Sequence, residues 1–216
     1  MLKIEIVSDL VCPWCFIGKR RLETAVAIIR ETKPDFAYET HWQPFFLNPD
    51  TPPEGEPYLP FLEKKFGGSA PVEALFAHAR QAGKIYGLEY AFEKISRRAN
   101  TLQAHRLIYW AQQQGNADKL VERLFSAQFQ RGEAIGDLAV LTAIASECGY
   151  NPEAVGDFLN STASTVAVQT KAQQIRQMGI HMVPTFILNS DQVIVGAEDP
   201  RILAEAMSAL YSLVSE

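Results

Sequence analysis

The chain has 216 residues, of which 47% are hydrophobic and 21% charged, a composition typical of a globular protein with its own hydrophobic core. The formal net charge is −5, which has the wrong sign for a phosphate-binding surface and argues against nucleic acid as a partner. The sequence shows neither the run of about 20 apolar residues that a transmembrane helix needs nor the hydrophobic region of a secretory signal. We therefore expect a cytoplasmic protein that does not bind membranes.

The first 46 residues predict a strand, a helix and a second strand. Residues 2–8 alternate as a strand does and lead into a turn that contains Cys12-Pro13-Trp14-Cys15. Apolar residues between positions 22 and 29 then recur with helical spacing, and the helix is expected to end near Lys33-Pro34. Alternation returns at residues 38–42. This β-α-β pattern places the cysteine pair where the helix begins.

A proline-rich segment then interrupts the pattern. Five prolines and a glycine lie between Leu47 and Pro60, which argues against regular structure there and marks a boundary. Helical patterns follow, and a hairpin is predicted from Thr185 to Leu188 and from Val193 to Gly196 before a last helix. The layout of β-α-β, a block of helices and β-β-α indicates an α/β protein.

The segment Cys12-Pro13-Trp14-Cys15 carries the clearest chemical signal. The helix dipole and the backbone N–H groups at a helix N-terminus favour a thiolate, which makes Cys12 the expected nucleophile. Cys15 lies one turn further along, where it can attack a mixed disulfide on Cys12 and release the partner. The alternatives are a chance pair and half of a zinc site, but structural zinc needs four ligands and the rest of the sequence offers only Cys148 and four scattered histidines. We therefore expect redox chemistry and no metal.

Further segments accompany the cysteine pair along the whole chain. They are residues 8–20 (SDLVCPWCFIGKR), 42–45 (WQPF) with 47–49 (LNP), 100–107 (NTLQAHRL), 183–186 (VPTF) and 196–197 (GA). With these segments in this order, the chain resembles the DsbA-like thioredoxin superfamily. Within it, the chain is similar to the FrnE-type subgroup of cytoplasmic disulfide oxidoreductases related to 2-hydroxychromene-2-carboxylate isomerase.

The resemblance implies a thioredoxin fold with a large inserted all-helical domain. Residues 1–57 and 179–216 would form the discontinuous thioredoxin-like domain, and residues 58–178 the helical insertion.

The resemblance also implies where substrates bind. It predicts a cis peptide bond between Val183 and Pro184, in a loop that faces the first cysteine and pairs with the substrate thiol. Pro13 and Trp14 are expected to border the same site. His181 precedes this loop and is either an ordinary surface histidine or a group that tunes the thiolate.

Two residues of the predicted insertion are further candidates. Asn100 is first of all a good N-cap for the helix that follows it. In isomerase and kappa-class glutathione transferase relatives, the corresponding region lies over the active site. Asn100 and His105 are therefore candidates to bind a thiol ligand.

Three functions are compatible with these residues. The first is a thiol-disulfide oxidoreductase that exchanges disulfides with proteins or with glutathione as a thiol co-substrate, and that holds no tightly bound cofactor. The second is a glutathione-dependent isomerase or transferase, although relatives of that type often have serine instead of the first cysteine. The third is a chaperone module that binds client proteins. The oligomeric state is open, with a homodimer among the alternatives.

Overall fold

The computed structural model describes residues 1–214, so the last two residues of the predicted segment 179–216 lie outside the described residues. A short 3-10 turn at Phe92–Lys94 and a π-helical turn at Ala127–Arg131 supplement the regular elements. In chain order these elements are β1 (Leu2–Ser8), α1 (Pro13–Thr32), β2 (Tyr38–Pro44), β3 (Glu56–Pro57), α2 (Tyr58–Phe66), α3 (Ser69–Lys84), β4 (Arg97–Arg98), α4 (Leu102–Gln112), α5 (Asp118–Ser126), α6 (Leu138–Glu147), α7 (Pro152–Asn160), α8 (Thr165–Gln177), β5 (Thr185–Leu188), β6 (Gln192–Val195) and α9 (Pro200–Val214).

The chain divides into two compact units. The first contains residues 1–45 together with the chain from Thr170 onward, and the second contains residues 46–169. These boundaries differ from the predicted ones at 57/58 and 178/179. At the later boundary, the division falls inside α8 rather than after it.

The first unit is built on a four-stranded sheet with the order β2-β1-β5-β6. β1 and β2 are parallel, from Leu2 opposite Tyr38 to Ser8 opposite Pro44, and α1 connects them. β5 is antiparallel to β1 and pairs with β6 in the predicted hairpin. β1 is therefore an inner strand, and its apolar side chains are buried: Leu2, Ile4, Ile6 and Val7.

α1 presents the apolar face that the sequence predicts and packs against α9. It begins with Pro13, at a position where the missing N–H costs no hydrogen bond. It ends at Thr32, because Pro34 disfavours helical backbone at the residue before it. The predicted stripe is buried along its whole length: Leu22, Ala25, Val26 and Ile29.

The second unit includes the proline-rich segment, although the predicted boundary at 57/58 places most of this segment in the thioredoxin-like domain. Backbone pairing explains its place: β3 is antiparallel to β4, and the Tyr58 N–H donates to the Ser96 carbonyl at 3.1 Å. The Asn100 side-chain amide also donates to the Thr51 carbonyl at 2.7 Å. The expectation that this segment lacks regular structure as far as Pro60 was wrong, since α2 begins at Tyr58. Pro60 is the third residue of that helix, where an N–H has no intrahelical partner to lose.

Arg106 on α4 anchors the end of α7 in this unit. Its side chain is almost fully buried, and burial lowers the pKa of its guanidinium. The guanidinium spans the backbone where α7 ends and satisfies carbonyl groups that a helix leaves without partners. It donates to the carbonyl oxygens of Phe158 (3.1 Å), Leu159 (3.2 Å), Ser161 (2.7 Å) and Ala163 (2.9 Å).

Candidate functional site

The cysteine pair lies where the sequence predicts it, at the junction of β1 and α1. Cys12 is the N-cap residue of α1, and its backbone N–H donates to the Asp9 carbonyl at 3.0 Å. The Cys15 N–H donates to the Cys12 carbonyl at 3.1 Å, which closes the first turn of the helix. Pro13 and Trp14, between the cysteines, are half-buried. The turn thus brings both sulfur-bearing residues to the N-terminal end of α1, where backbone N–H groups favour negative charge.

The two cysteines differ in their access to solvent. Cys12 is 6% exposed, whereas Cys15 is 1% exposed. Burial raises the pKa of the Cys15 thiol well above its ordinary value, and the adjacent Cys12 raises it further through its hydrogen bond and its charge. The Ser8 hydroxyl and the Asp9 backbone N–H act in the opposite sense and lower the pKa of Cys15, but the pKa stays well above its ordinary value. Cys15 is therefore held as a neutral thiol next to the more accessible Cys12.

The loop before β5 brings the other predicted half of the site to Cys12. The peptide bond between Val183 and Pro184 is cis, and the Cys12 Sγ donates to the Val183 carbonyl oxygen at 3.8 Å. These residues are 171 positions apart in the sequence. Val183 is half-buried and Pro184 is buried, while His181 is exposed. The structure thus places Cys12, Val183 and Pro184 together, within the first unit.

Several contacts hold this loop in place. The Thr185 hydroxyl donates to the Met182 carbonyl at 2.7 Å, and the Gly196 N–H donates to the Pro184 carbonyl at 2.8 Å. On the other side, the Pro184 ring rests against α1 at Gly18, where an added Cβ would lie 2.7 Å from the ring's Cγ. Glycine at this position is therefore what allows the helix and the loop to approach so closely.

An ion pair between a buried lysine and an exposed glutamate lies further along α1. The run Lys19-Arg20-Arg21 indicates a solvated helix face in the sequence, but Lys19 is only 7% exposed and its ammonium group binds the Glu23 carboxylate. Burial alone would raise the pKa of Glu23, but hydrogen bonds from Lys19 and Arg20 lower it below its ordinary value. Lys19 was missed because a charged residue in a basic run looks exposed. The acidic partner four residues later was the available signal.

Asn100 and His105 lie in the second unit. The N-cap residue of α4 is Thr101 rather than Asn100, but the Asn100 Oδ1 accepts the N–H of Leu102 at 3.0 Å and so satisfies one donor of the first turn. His105 is buried, with its ring edge-on to Phe46 at 5.2 Å. Both residues have structural contacts within this unit, and their part in substrate binding stays a prediction.

The third cysteine, Cys148, shares an apolar helical stripe with Leu138, Leu141 and Ala145, which predicts a buried, inert thiol. Cys148 is half-buried rather than buried, because α6 ends at Glu147 and leaves Cys148 just beyond the apolar face of the helix. Its Sγ donates to the Lys119 carbonyl at 3.8 Å, and burial raises the pKa of its thiol. Within residues 1–214, no three His, Cys, Asp or Glu side chains form a group that could hold a metal ion.

This arrangement, a cysteine pair at a helix N-terminus facing a cis-proline loop, agrees with a family match. Residues 3–208 match the model of the DsbA-like thioredoxin domain. The chain belongs to the DsbA-like thioredoxin family. The match to this family of disulfide oxidoreductases confirms the predicted α/β thioredoxin fold and the DsbA-like resemblance. Membership of the narrower FrnE-type subgroup stays a prediction.

Individual relatives show how far the similarity extends. The uncharacterised protein YwbO of Bacillus subtilis (strain 168) is 29% identical over 206 residues, 95% of each chain. A probable DsbA oxidoreductase from Streptomyces coelicolor has a TM-score of 0.87 at 25% identity, over 98% of this chain and 91% of that one.

A third relative shares the fold alone. The cytosolic disulfide reductase DsbM of Pseudomonas aeruginosa, solved with GSH, has a TM-score of 0.66 at 15% identity, over 99% of this chain and 100% of that one.

Among residues 1–214, no helix combines the length and the hydrophobicity needed to cross a bilayer.

Proposed function

We propose that this protein is a thiol-disulfide oxidoreductase in which Cys12 and Cys15 form the redox couple. One observation carries the proposal: Cys12 caps α1, has Cys15 one turn behind it, and directs its Sγ towards the Val183 carbonyl at 3.8 Å. A substrate sulfur bonded to Cys12 would lie beside that same backbone, which can pair with an extended substrate chain. No other described group is required for the exchange of electrons between sulfur atoms.

The first step is the attack of the Cys12 thiolate on one sulfur of a substrate disulfide. A bond forms between Cys12 and that sulfur while the substrate's S–S bond breaks, and the second substrate sulfur leaves as a thiolate that takes up a proton. Cys12 is suited to this step because it is at the helix N-terminus and is the more exposed of the pair.

The second step resolves the mixed disulfide. Cys15 loses its proton and attacks Cys12, so that a Cys12–Cys15 disulfide forms and the first substrate sulfur leaves as a thiolate. Burial, and to a lesser extent the neighbouring Cys12, raise the pKa of Cys15, so this thiol stays protonated in the reduced protein, and the contribution of Cys12 is removed once Cys12 has become part of a mixed disulfide. In total, the substrate gains two electrons and two protons, and the protein dithiol loses them. The reverse sequence oxidises a substrate dithiol.

We propose protein disulfides and glutathione as the partners, without a tightly bound cofactor, and the cytoplasm as the location. The GSH-bound cytosolic reductase with the same fold supports glutathione and the location. The dithiol favours redox exchange over a glutathione-dependent isomerase or transferase, because an attack by glutathione on an organic substrate needs no second cysteine. A client-binding chaperone module would not need either thiol.

The redox equilibrium of the cysteine pair tests this function. The protein is equilibrated with graded mixtures of reduced and oxidised glutathione, and its disulfides are assigned by mass spectrometry. A reversible Cys12–Cys15 disulfide is expected, and Cys15→Ser should accumulate glutathione on Cys12. Cys148→Ser is the matched control and should titrate like the wild type.

The opposite result has a clear meaning. If no internal disulfide forms and reduced glutathione binds beside Cys12 without a covalent bond, the oxidoreductase proposal fails and the isomerase or transferase becomes the better explanation. If Cys12→Ser keeps a client-protecting activity and the wild type shows no exchange, the chaperone explains the protein.

A further inference from the structure

The turn between β6 and α9 connects the active-site helix to the cis-proline loop. The Arg21 guanidinium on α1 donates from Nη1 to the Ala197 carbonyl oxygen. The residue before it in the turn, Gly196, donates its backbone N–H to the Pro184 carbonyl at 2.8 Å. Two consecutive residues of the turn therefore join Arg21 to the Pro184 carbonyl, one residue after Val183.

These contacts form a closed path that begins and ends on α1. From Arg21 the path passes through the turn to Pro184 and Val183, whose carbonyl accepts from the Cys12 Sγ at 3.8 Å. Gly18, one turn before Arg21 on the helix, packs against the Pro184 ring, which gives α1 a second contact with the same loop. All of these residues belong to the first unit.

The geometry of the turn is specific. Gly196 has a φ of +93°, in the left-handed region that favours glycine, so the direction of the turn depends on that residue. The backbone N–H of Arg201 lowers the pKa of Asp199, at the start of α9, and the positive charges of Arg201 and Arg21 act in the same direction. Arg21 therefore acts electrostatically on the acidic start of α9 while it donates a hydrogen bond to the turn.

We propose that Arg21 is a positioning residue for disulfide exchange, which holds the Val183 backbone at its distance from the Cys12 sulfur through Ala197 and Gly196. The inference rests on the proposed oxidoreductase function and assigns a role to a residue that touches no reacting atom. Without the guanidinium, the turn loses this hydrogen bond to the helix, and the loop is held less firmly beside Cys12. Because the Val183 backbone is the part of the site that would pair with the substrate chain, a shift of the loop weakens substrate binding and raises KM.

Arg21→Gln and Arg20→Gln form a matched pair for the test. Both remove one positive charge from the same stretch of α1, but the Arg20 guanidinium pairs with the exposed Glu23 carboxylate and lies over the Phe16 ring, both on α1 itself. The probe is a peptide with glutathione attached to its cysteine, and deglutathionylation is followed at increasing peptide concentration with excess reduced glutathione to reduce the Cys12–Cys15 disulfide after each cycle. We expect Arg21→Gln to raise KM about tenfold with a smaller change in kcat, and Arg20→Gln to stay within twofold of the wild type.

Two further measurements separate positioning from a general loss of structure or a change in the thiols. The redox equilibrium of Cys12–Cys15 with glutathione should shift less than threefold in Arg21→Gln. Arg21→Lys keeps one donor for the Ala197 carbonyl and should recover part of the lost affinity. A folded Arg21→Gln with the wild-type KM, or with an altered redox equilibrium and unchanged KM, overturns the proposal.

Gly196→Ala decides the question if Arg21→Gln does not fold. It strains the middle of the path and leaves Arg21 in place, so the proposal requires it to raise KM in the same way, and a wild-type KM would overturn it. Failure of the wild type and Arg20→Gln to exchange disulfides would refute the proposed function itself. Failure of the positioning role would leave that function intact.

Discussion

The contact between α1 and the cis-proline loop predicts a large effect from the smallest change available, Gly18→Ala. An added Cβ at Gly18 would lie 2.7 Å from the Pro184 Cγ, 3.2 Å from its Cβ and 3.3 Å from the Phe186 Cζ. Carbon atoms in contact are normally about 3.5 to 4.0 Å apart. The proline ring must therefore move by roughly 1 Å, which carries the loop away from Cys12.

Stability and activity should respond differently to this substitution. Alanine inside a helix is favoured over glycine by about 1 kcal/mol, whereas overpacking of this kind costs about 1 to 3 kcal/mol. The free energy of unfolding should thus fall by roughly 0 to 2 kcal/mol, a change that leaves most of the protein folded. The loss in kcat/KM for disulfide exchange should be about 10- to 100-fold, because it follows the displacement of the loop.

Gly156→Ala is the matched control. Gly156 also lies inside a helix, α7, but nothing lies within 4 Å of an added Cβ there. This variant should gain about 1 kcal/mol of stability and keep the wild-type activity. Urea denaturation and exchange kinetics measure both quantities. If Gly18→Ala is stabilised as much as Gly156→Ala and exchanges disulfides at the wild-type rate, the close contact with Pro184 does not constrain the loop.

Three further predictions concern single groups. Because the pKa of Cys15 is raised in the folded protein, the unfolded chain loses this proton first as the pH rises. The free energy of unfolding of the reduced protein, measured by urea denaturation, should therefore fall by up to about 1.4 kcal/mol per pH unit above about pH 8.5, and Cys15→Ser should lack this contribution. Arg106→Leu removes four hydrogen bonds to backbone carbonyls, of which the Leu159 carbonyl is buried, and should cost about 3 kcal/mol in the same assay; a loss below about 1 kcal/mol would contradict this. Asp137→Ala removes the N-cap hydrogen bonds of α6 and should cost about 1 kcal/mol, whereas Asp137→Asn should keep most of this stability.

The strands and helices of the first unit could be predicted because local sequence specifies them. The apolar stripe from Leu22 to Ile29 sets the buried face of α1, and Pro34 sets its end. The domain boundary at the proline-rich segment could not be predicted in this way. Its assignment depends on the pairing of β3 with β4 and on the hydrogen bond from Asn100 to Thr51, and both join residues at least 40 positions apart.

The residues of the candidate site also differ in whether local sequence or distant contacts determine their roles. Cys12 and Cys15 are recognisable because a helix N-terminus has a direct effect on a thiolate. The contacts of Arg21 with Ala197 and of Gly18 with Pro184 depend on how distant segments pack. Lys19 was misjudged for a related reason, because its burial depends on packing, which a basic run does not reveal.

The inner position of β1 also has a consequence for synthesis of the protein on the ribosome. The cysteine pair and β1 emerge early, and β2, which pairs with one edge of β1, follows soon after. Val183 follows Cys12 by 171 residues, and β5, which pairs with the other edge of β1, is later still. At about 5 to 20 residues per second, this delay lasts roughly 10 to 30 s. Throughout that interval the nascent chain presents two reactive thiols without the loop that later contacts Cys12, and one edge of β1 without its partner β5. Until β5 has been made, this edge of β1 is open to pairing with other chains and the two thiols are open to oxidation.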